Sequence, residues 1–319
     1  MLWGDLALFI LFVILLIISA LLCVRSLTKI SLFLRLSEFL VGFVIMGIST
    51  ALPELFVGIT SAFNKNPSMA LGNVIGSVIV NLTLVAGIIV VLARGIETKK
   101  GDVRKDALRL FVLALVPIIL MILGNGLSRL DGAILVGLFI FNIYSLIKER
   151  KSYREKIADH VGRAHAIGYS FLFIFSIFGL FFTAQGTVKY GGLIAEGFGL
   201  PQIFIGLFFV ALGTSLPELV FGIMATRTQH AIMSLGDLIG ACIVNVTLVL
   251  GITALIFPIK TGFTLFLTSS LFMLLITFIF MTFIESGRKI DWKEGIALIF
   301  LYVFFLVVQL SISGLIRTV

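Results

Sequence analysis

Charge is scarce in this 319-residue chain: Asp, Glu, Lys and Arg make up 13% of it, against 60% apolar residues. Together with a mean hydropathy of +1.19, that scarcity excludes a water-soluble globular domain and requires a bilayer as solvent. Cysteine is scarcer still. Cys23 and Cys242 both fall in apolar segments, which argues against a disulfide framework and leaves each as a small packing residue. The three histidines, His160, His165 and His230, lie in or beside polar connections without HExxH or comparable metal-ligand spacing, so a zinc enzyme has no support. The 16 acidic residues are outnumbered by 24 basic ones, for a formal charge of +8. That excess is divided among short connections with no aromatic platform, which argues against nucleic acid as a partner.

What is abundant is the apolar run of about 20 residues, the length that crosses about 30 Å of hydrocarbon. Ten such spans start near residues 5, 37, 67, 106, 130, 166, 201, 231, 262 and 294. They predict helices, because lipid cannot satisfy unpaired backbone groups. A β-barrel would show alternating segments of about ten residues, and unbroken runs such as Leu6 to Val24 do not alternate. Residues 1 to 24 lack a basic leader region and carry Asp5, so they are read as the first helix and not as a signal peptide. Nineteen of the 24 Lys and Arg fall in connections after odd-numbered spans, in the stretches Arg25–Arg35, Arg94–Arg109, Lys148–Arg163 and Arg288–Lys293 and at Arg227. The other five are Lys65, Arg129, Lys189, Lys260 and Arg317. Because positive loops stay in the cytoplasm, this predicts a multi-pass inner-membrane protein with both termini extracytoplasmic.

An offset of 164 positions superposes the two halves without a gap. Thr50, Leu52, Pro53, Glu54 and Leu55 recur as Thr214, Leu216, Pro217, Glu218 and Leu219, and the block from Leu71 to Gly87 recurs from Leu235 to Gly251. Such self-similarity marks an internal repeat. Each half holds five spans, an odd number, so the second copy enters the membrane in the opposite sense. The expected fold class is an all-α membrane protein of ten transmembrane helices in two inverted five-helix repeats. The expected division is 1–147 for the first repeat, 148–165 for a basic cytoplasmic linker and 166–319 for the second repeat.

Pro53 and Pro217 lie in mid-span, where proline lacks a donor and loosens the carbonyls near Ser49 and Gly213. Paired breaks at corresponding positions of inverted halves point to a binding site at the midplane. Glu54 and Glu218 follow those breaks directly, and a carboxylate in mid-bilayer marks an ion path or proton relay. Asn81 and Asn245 lie in the following helices, whose Gly72, Gly76, Gly236 and Gly240 form small-xxx-small faces for close packing. The candidate metal ligands are therefore Glu54, Glu218, Thr50, Thr214, Asn81, Asn245, Ser77 and Ser215. All are hard oxygen donors, without sulfur or imidazole. A flexible oxygen set suits calcium better than octahedral magnesium, and far better than copper or zinc. Two negative charges balance one divalent cation; without it the carboxylates repel, which invites protons or monovalent cations to replace it, and mutual exclusion at one site is antiport.

The blocks STALPELFVGI with LGNVIGSVIVN, and GTSLPELVFGI with LGDLIGACIVN, resemble the two alpha-repeats of the calcium/cation antiporter superfamily, which includes sodium/calcium and proton/calcium exchangers. The resemblance covers residues 41 to 87 and 205 to 251 strongly. It implies that Glu54 and Glu218 are calcium carboxylates and that Thr50 and Thr214 supply backbone oxygens. The sodium-coupled pattern usually has serine where this chain has Ala51 and Ala241, and often aspartate where it has Asn245. Those departures lead to an expectation of calcium export in exchange for H+, with Na+ coupling as the alternative. Neither repeat reproduces the G-N-A-T-E pattern of the proton-coupled branch.

The expected mechanism is alternating access, with the long segments Trp3 to Arg35 and His165 to Leu200 rocking or sliding against the rest. The expected ligands are transported ions only, Ca2+ with H+ or Na+, with no cofactor and no obligate protein partner beyond the lipid bilayer. An intramembrane lipid-phosphate hydrolase would need a buried Arg, Lys or His beside the glutamates, and none is seen there. A channel filter built of oxygen donors is a third reading that the paired kinks disfavour.

Overall fold

The computed structural model describes residues 2–33, 46–98, 102–150, 163–227, 231–260, 263–286 and 289–312. Along the first half run α1 (Leu2–Phe33), α2 (Met46–Thr50), α3 (Leu52–Phe63), α4 (Pro67–Val80), α5 (Ala86–Leu92), α6 (Asp102–Gly124) and α7 (Arg129–Arg150). The second half holds α8 (Arg163–Phe198), α9 (Gln202–Ile205), α10 (Ala211–Thr214), α11 (Leu216–Arg227), α12 (Ala231–Val244), α13 (Leu250–Ile256), α14 (Phe263–Ser286) and α15 (Trp292–Ile312). Three π-helical turns, Asn81–Val85, Gly206–Val210 and Asn245–Val249, join α4 to α5, α9 to α10 and α12 to α13 into continuous rods.

Nine of the described helical stretches are long and apolar enough to cross a membrane, and Leu52–Phe63 is a shorter apolar helix. The predicted second span corresponds to that helix with α2, and its expected start near residue 37 lies outside the described residues. So do most of the basic linker, 151–162, and the tail with Arg317. The other nine spans start within four residues of their predicted positions. The protein is an all-α membrane protein.

Burial separates the layers. Over an 18-residue apolar window, Pro67–Leu92 is 83% buried and Ala231–Ile256 78%, whereas Trp3–Ser26, Arg129–Lys148 and Ile167–Phe198 are each 22% buried. The two central rods carry the glycines, and their apolar surround turns Phe171, Phe175, Phe178 and Phe182 on α8 outward, as lipid-facing side chains do in a bilayer. A Cβ on Gly72 would stand 2.1 Å from the Ile203 carbonyl oxygen, one on Gly76 2.2 Å from that of Leu207, and one on Gly206 2.1 Å from that of Met69. The rod of α4 and the rod of α9–α10 thus touch backbone to backbone, the approach that small-xxx-small faces permit.

The repeat is visible in three dimensions. Ile96–Glu97 (β1) pairs antiparallel with Lys289–Ile290 (β2), and Leu127 bridges Ile259 by reciprocal 2.9 Å backbone hydrogen bonds. The two clasps are mates under the 164-residue offset: each joins the connection after the third span of one half to the connection after the fourth span of the other. At the start of α7, Ser128 and Asp131 cap each other: the Ser128 N–H and hydroxyl donate to Asp131 Oδ2 at 2.8 and 2.7 Å, a capping-box arrangement. The longest helices, α1 and α8, have 32 and 36 residues and pack along one another. At 1.5 Å rise per residue each is roughly 50 Å long, well beyond a hydrocarbon core.

Candidate ion-binding site

The second span breaks at Ala51 (φ −80°, ψ 1°) and its counterpart at Ser215 (φ −85°, ψ 0°). These bridge-region angles sit two residues before Pro53 and Pro217. Neither proline has an N–H for the carbonyl four residues back, so each half supplies a helix start at mid-membrane with Glu54 or Glu218 in its first turn.

Both glutamates are fully buried, and no oxygen of either has a hydrogen-bond partner. No Lys or Arg among the described residues is buried with them. Ser77 and Thr214 lie beside Glu54 and Asn81 beside Glu218. The rod of α4 and its π turn therefore faces both glutamates. Asn81 and Asn245 open the π turns of their rods, where the widened backbone is typical of functional positions, and both amides are buried without partners. Ser215 Oγ is likewise buried and unpartnered. A cluster of buried polar atoms without partners is costly in a protein interior, and a cation that the oxygens surround would repay that cost.

Cross-repeat hydrogen bonds hold the frame of the site. Ser77 Oγ and Thr214 Oγ1 are 3.2 Å apart, and Thr214 Oγ1 donates to Asn73 Oδ1 at 3.1 Å. The mirror bond runs from Thr50 Oγ1 to Asp237 Oδ1 at 3.3 Å. Positions 73 and 237 are related by the same 164-residue offset as 50 and 214. All eight expected residues are buried: Thr50 and Glu54 on α2–α3, Ser77 on α4, Thr214, Ser215 and Glu218 along α10–α11, and Asn81 and Asn245 at the heads of the π turns that follow α4 and α12.

Sequence reasoning missed three side chains here. Asn73 and Asp237 escaped because comparing the repeats highlights identities, and this pair differs. A single acidic residue inside the apolar run from Ala231 to Val244 was the available signal. Cys242, read as a packing residue, stands beside Asn81 and within electrostatic reach of both glutamates. Among the described residues no three acidic, His or Cys side chains converge on one ion, so any cation held here takes carboxylates together with neutral oxygens.

Fold and site define the class: an integral membrane protein whose two inverted halves each bring one glutamate and a set of neutral oxygens to a shared buried centre. The sodium/calcium exchanger protein family model matches residues 5–148 and 169–311, and the chain belongs to that family. Similar relatives include sodium/calcium exchanger MaX1 of Methanosarcina acetivorans, 28% identical over 89% of this chain and 92% of that protein. Inner membrane protein YrbG of Escherichia coli is 30% identical over 69% of this chain and 70% of its own length. Among solved structures, the sodium-calcium exchanger NCX_Mj in 10 mM Na+ is 25% identical, with a TM-score of 0.69 over 96% of this chain and 99% of that one. The H+/Ca2+ exchanger CAX, at 18% identity, shares the fold with a TM-score of 0.79 over 98% of this chain and 85% of its own.

Proposed function

We propose that this protein is a secondary transporter and not an enzyme, exporting Ca2+ across a prokaryotic inner membrane by alternating access in exchange for H+. The observation that carries the reading is the pair of fully buried glutamates, one from each repeat, with no hydrogen-bond partner and no buried counter-cation. Glu54 and Glu218 serve as the charged ligands; Thr50, Thr214, Asn81, Asn245, Ser77 and Ser215 complete the oxygen shell that calcium prefers. The repeats 1–147 and 166–319 act as the two halves, joined by the linker 148–165, with both termini extracytoplasmic. Protons are favoured as the coupling ion because Ala51 and Ala241 bring no hydroxyl to flanking monovalent sites, and two carboxylates carry protons without further ligands.

Sodium coupling is the second reading. Ser77 and Ser215 retain hydroxyls at the site, and MaX1 and NCX_Mj are described as sodium/calcium exchangers.

Calcium flux into proteoliposomes separates the two. A sodium gradient and a pH gradient are imposed in turn with the membrane potential clamped. Flux driven by pH alone supports proton exchange, flux driven by sodium alone replaces it with sodium exchange, and flux under neither gradient refutes the antiport reading.

A further inference from the structure

Beyond Glu54, α3 continues to the connection at residues 64–66, and beyond Glu218, α11 continues to Arg227. These arms are two copies of one sequence that lead from the buried centre to opposite membrane faces, so each serves as the control for the other. Ser61 follows Glu54 by two turns of α3, about 20° round the helix and about 10 Å farther along it. It is fully buried, and its hydroxyl has no hydrogen-bond partner. Between the two levels Gly58 receives Thr253 of α13, whose Oγ1 would stand 2.7 Å from a Cβ at position 58. The Thr253 hydroxyl donates to the Val249 carbonyl at 2.7 Å, which turns its proton away and keeps its oxygen an acceptor.

The arm beyond Glu218 has neither group. At the 164-residue offset Ser61 becomes Ala225 and Thr253 becomes Ile89, and a Cβ on Gly222 would meet Ile89 Cδ1 at 2.1 Å. The one hydroxyl that α11 carries past Glu218, that of Thr226, is about 80° round the helix from the glutamate. Backbone and glycine are thus shared, while oxygens stand between carboxylate and membrane face in one arm alone. Packing does not demand them, because Ala225 and Ile89 are buried at the same places in the copy. A buried hydroxyl without a partner is unfavourable, so Ser61 is the costlier choice unless something visits it.

We propose that Ser61 and Thr253 form a relay step for a partly dehydrated calcium ion passing between Glu54 and the face at residues 64–66, with no counterpart toward the other face. The inference rests on the glutamate pair as the calcium site and deepens that reading; it is independent of which ion drives export. A calcium ion entering the arm sheds water before it reaches a carboxylate, and hard oxygens on the way replace part of that shell. A relay lowers the barrier equally for entry and departure, so it speeds exchange at one face and leaves the equilibrium affinity of the centre unchanged.

The test is 45Ca2+ self-exchange into calcium-loaded membrane vesicles, right-side-out and inside-out, which needs no coupling gradient. Labelling of Lys65→Cys in parallel vesicles identifies the face that the α3 arm serves. At label concentrations well below half-saturation, Ser61→Ala and the isosteric Thr253→Val should each lower kcat/KM at that face about tenfold, the scale of one hydrogen bond to a charged group. At the opposite face kcat/KM should hold, and equilibrium 45Ca2+ binding to the purified variants should match the wild type, which a folding defect would not allow. Equal losses at both faces, no loss at either, or a weakened equilibrium affinity overturns the relay. Absence of calcium binding in the wild type would instead overturn the glutamate reading on which it rests.

Discussion

Gly76→Ala should damage this protein far more than Gly47→Ala, although both add one methyl group at the same interface of the two repeats. Position 47 corresponds to 211 and position 76 to 240, so one copy of the contact pairs Gly76 with Ala211 and the other pairs Gly240 with Gly47. A Cβ on Gly76 would meet the Leu207 carbonyl oxygen at 2.2 Å and the Ala211 Cβ at 2.6 Å. Neither obstacle can rotate away, so α4 must retreat from α10 by roughly 1 Å in an interior packed as densely as a crystal. Overpacking of this kind costs about 1–3 kcal/mol. The same retreat stretches the 3.2 Å Ser77–Thr214 and 3.1 Å Thr214–Asn73 bonds, for about 1 kcal/mol each, giving a loss of about 3–5 kcal/mol. On Gly47 the nearest atoms would lie at 3.2 Å, on Gly240 and Ala241. That contact yields by a few tenths of an ångström, and the gain of about 0.5–1 kcal/mol from replacing a helical glycine leaves a net change within about 1 kcal/mol. Thermal unfolding of both variants in one detergent, followed by calcium uptake in proteoliposomes, makes the comparison. Equal melting temperatures would refute the backbone contact between α4 and α9–α10. A stable Gly76→Ala with full uptake would refute the dependence of the site on that contact.

Glu54→Gln and Glu218→Gln should each abolish calcium transport and weaken calcium binding by about 10²-fold or more, since removing one member of a buried charge pair costs about 3–5 kcal/mol; normal uptake in either variant would exclude that glutamate from the site. If α1 and α8 move as one body, a disulfide between cysteines at Ser19 and Gly179, whose Cβ positions are 3.3 Å apart, should leave exchange running. One between Val13 and Gly213, at 3.9 Å, should stop it while calcium binding persists, with a reductant restoring flux. Both pairs would be made in a chain with Cys23 and Cys242 replaced, and exchange that continues through the second crosslink would rule out movement of α1 against α10. Cysteines at the exposed Lys65 and Arg227, which are the two copies of one loop, should react with an impermeant thiol reagent from opposite sides of the membrane. Labelling from the same side would contradict the inverted topology.

The spans were legible because hydrocarbon leaves a segment few options: about 20 apolar residues must be helical, and nine of the ten predicted starts recur as described. The glutamates were legible because a proline and a carboxylate repeated in mid-span are too unfavourable in lipid to persist without a use. Asn81 and Asn245 were visible as polar repeats, yet nothing in their spacing announced that each opens a π turn, which depends on how the rod packs. Asp237 was the chief omission. Its partner Thr50 is 187 positions away, and no local pattern connects them.

By itself the sequence determined the bilayer as solvent, the helical class, the two copies of one motif and the pair of glutamates placed within it, all of which follow from hydropathy and repetition along the chain. Tertiary structure alone decided which oxygens share a centre. It paired Thr214 with Asn73 and Thr50 with Asp237, set Cys242 beside Asn81, and made Gly72, Gly76 and Gly206 backbone contacts, because inverting one repeat against the other brings together residues that the chain keeps far apart. The two halves present the same frame with unequal polar groups, and that inequality acquires meaning only once the halves are folded face to face.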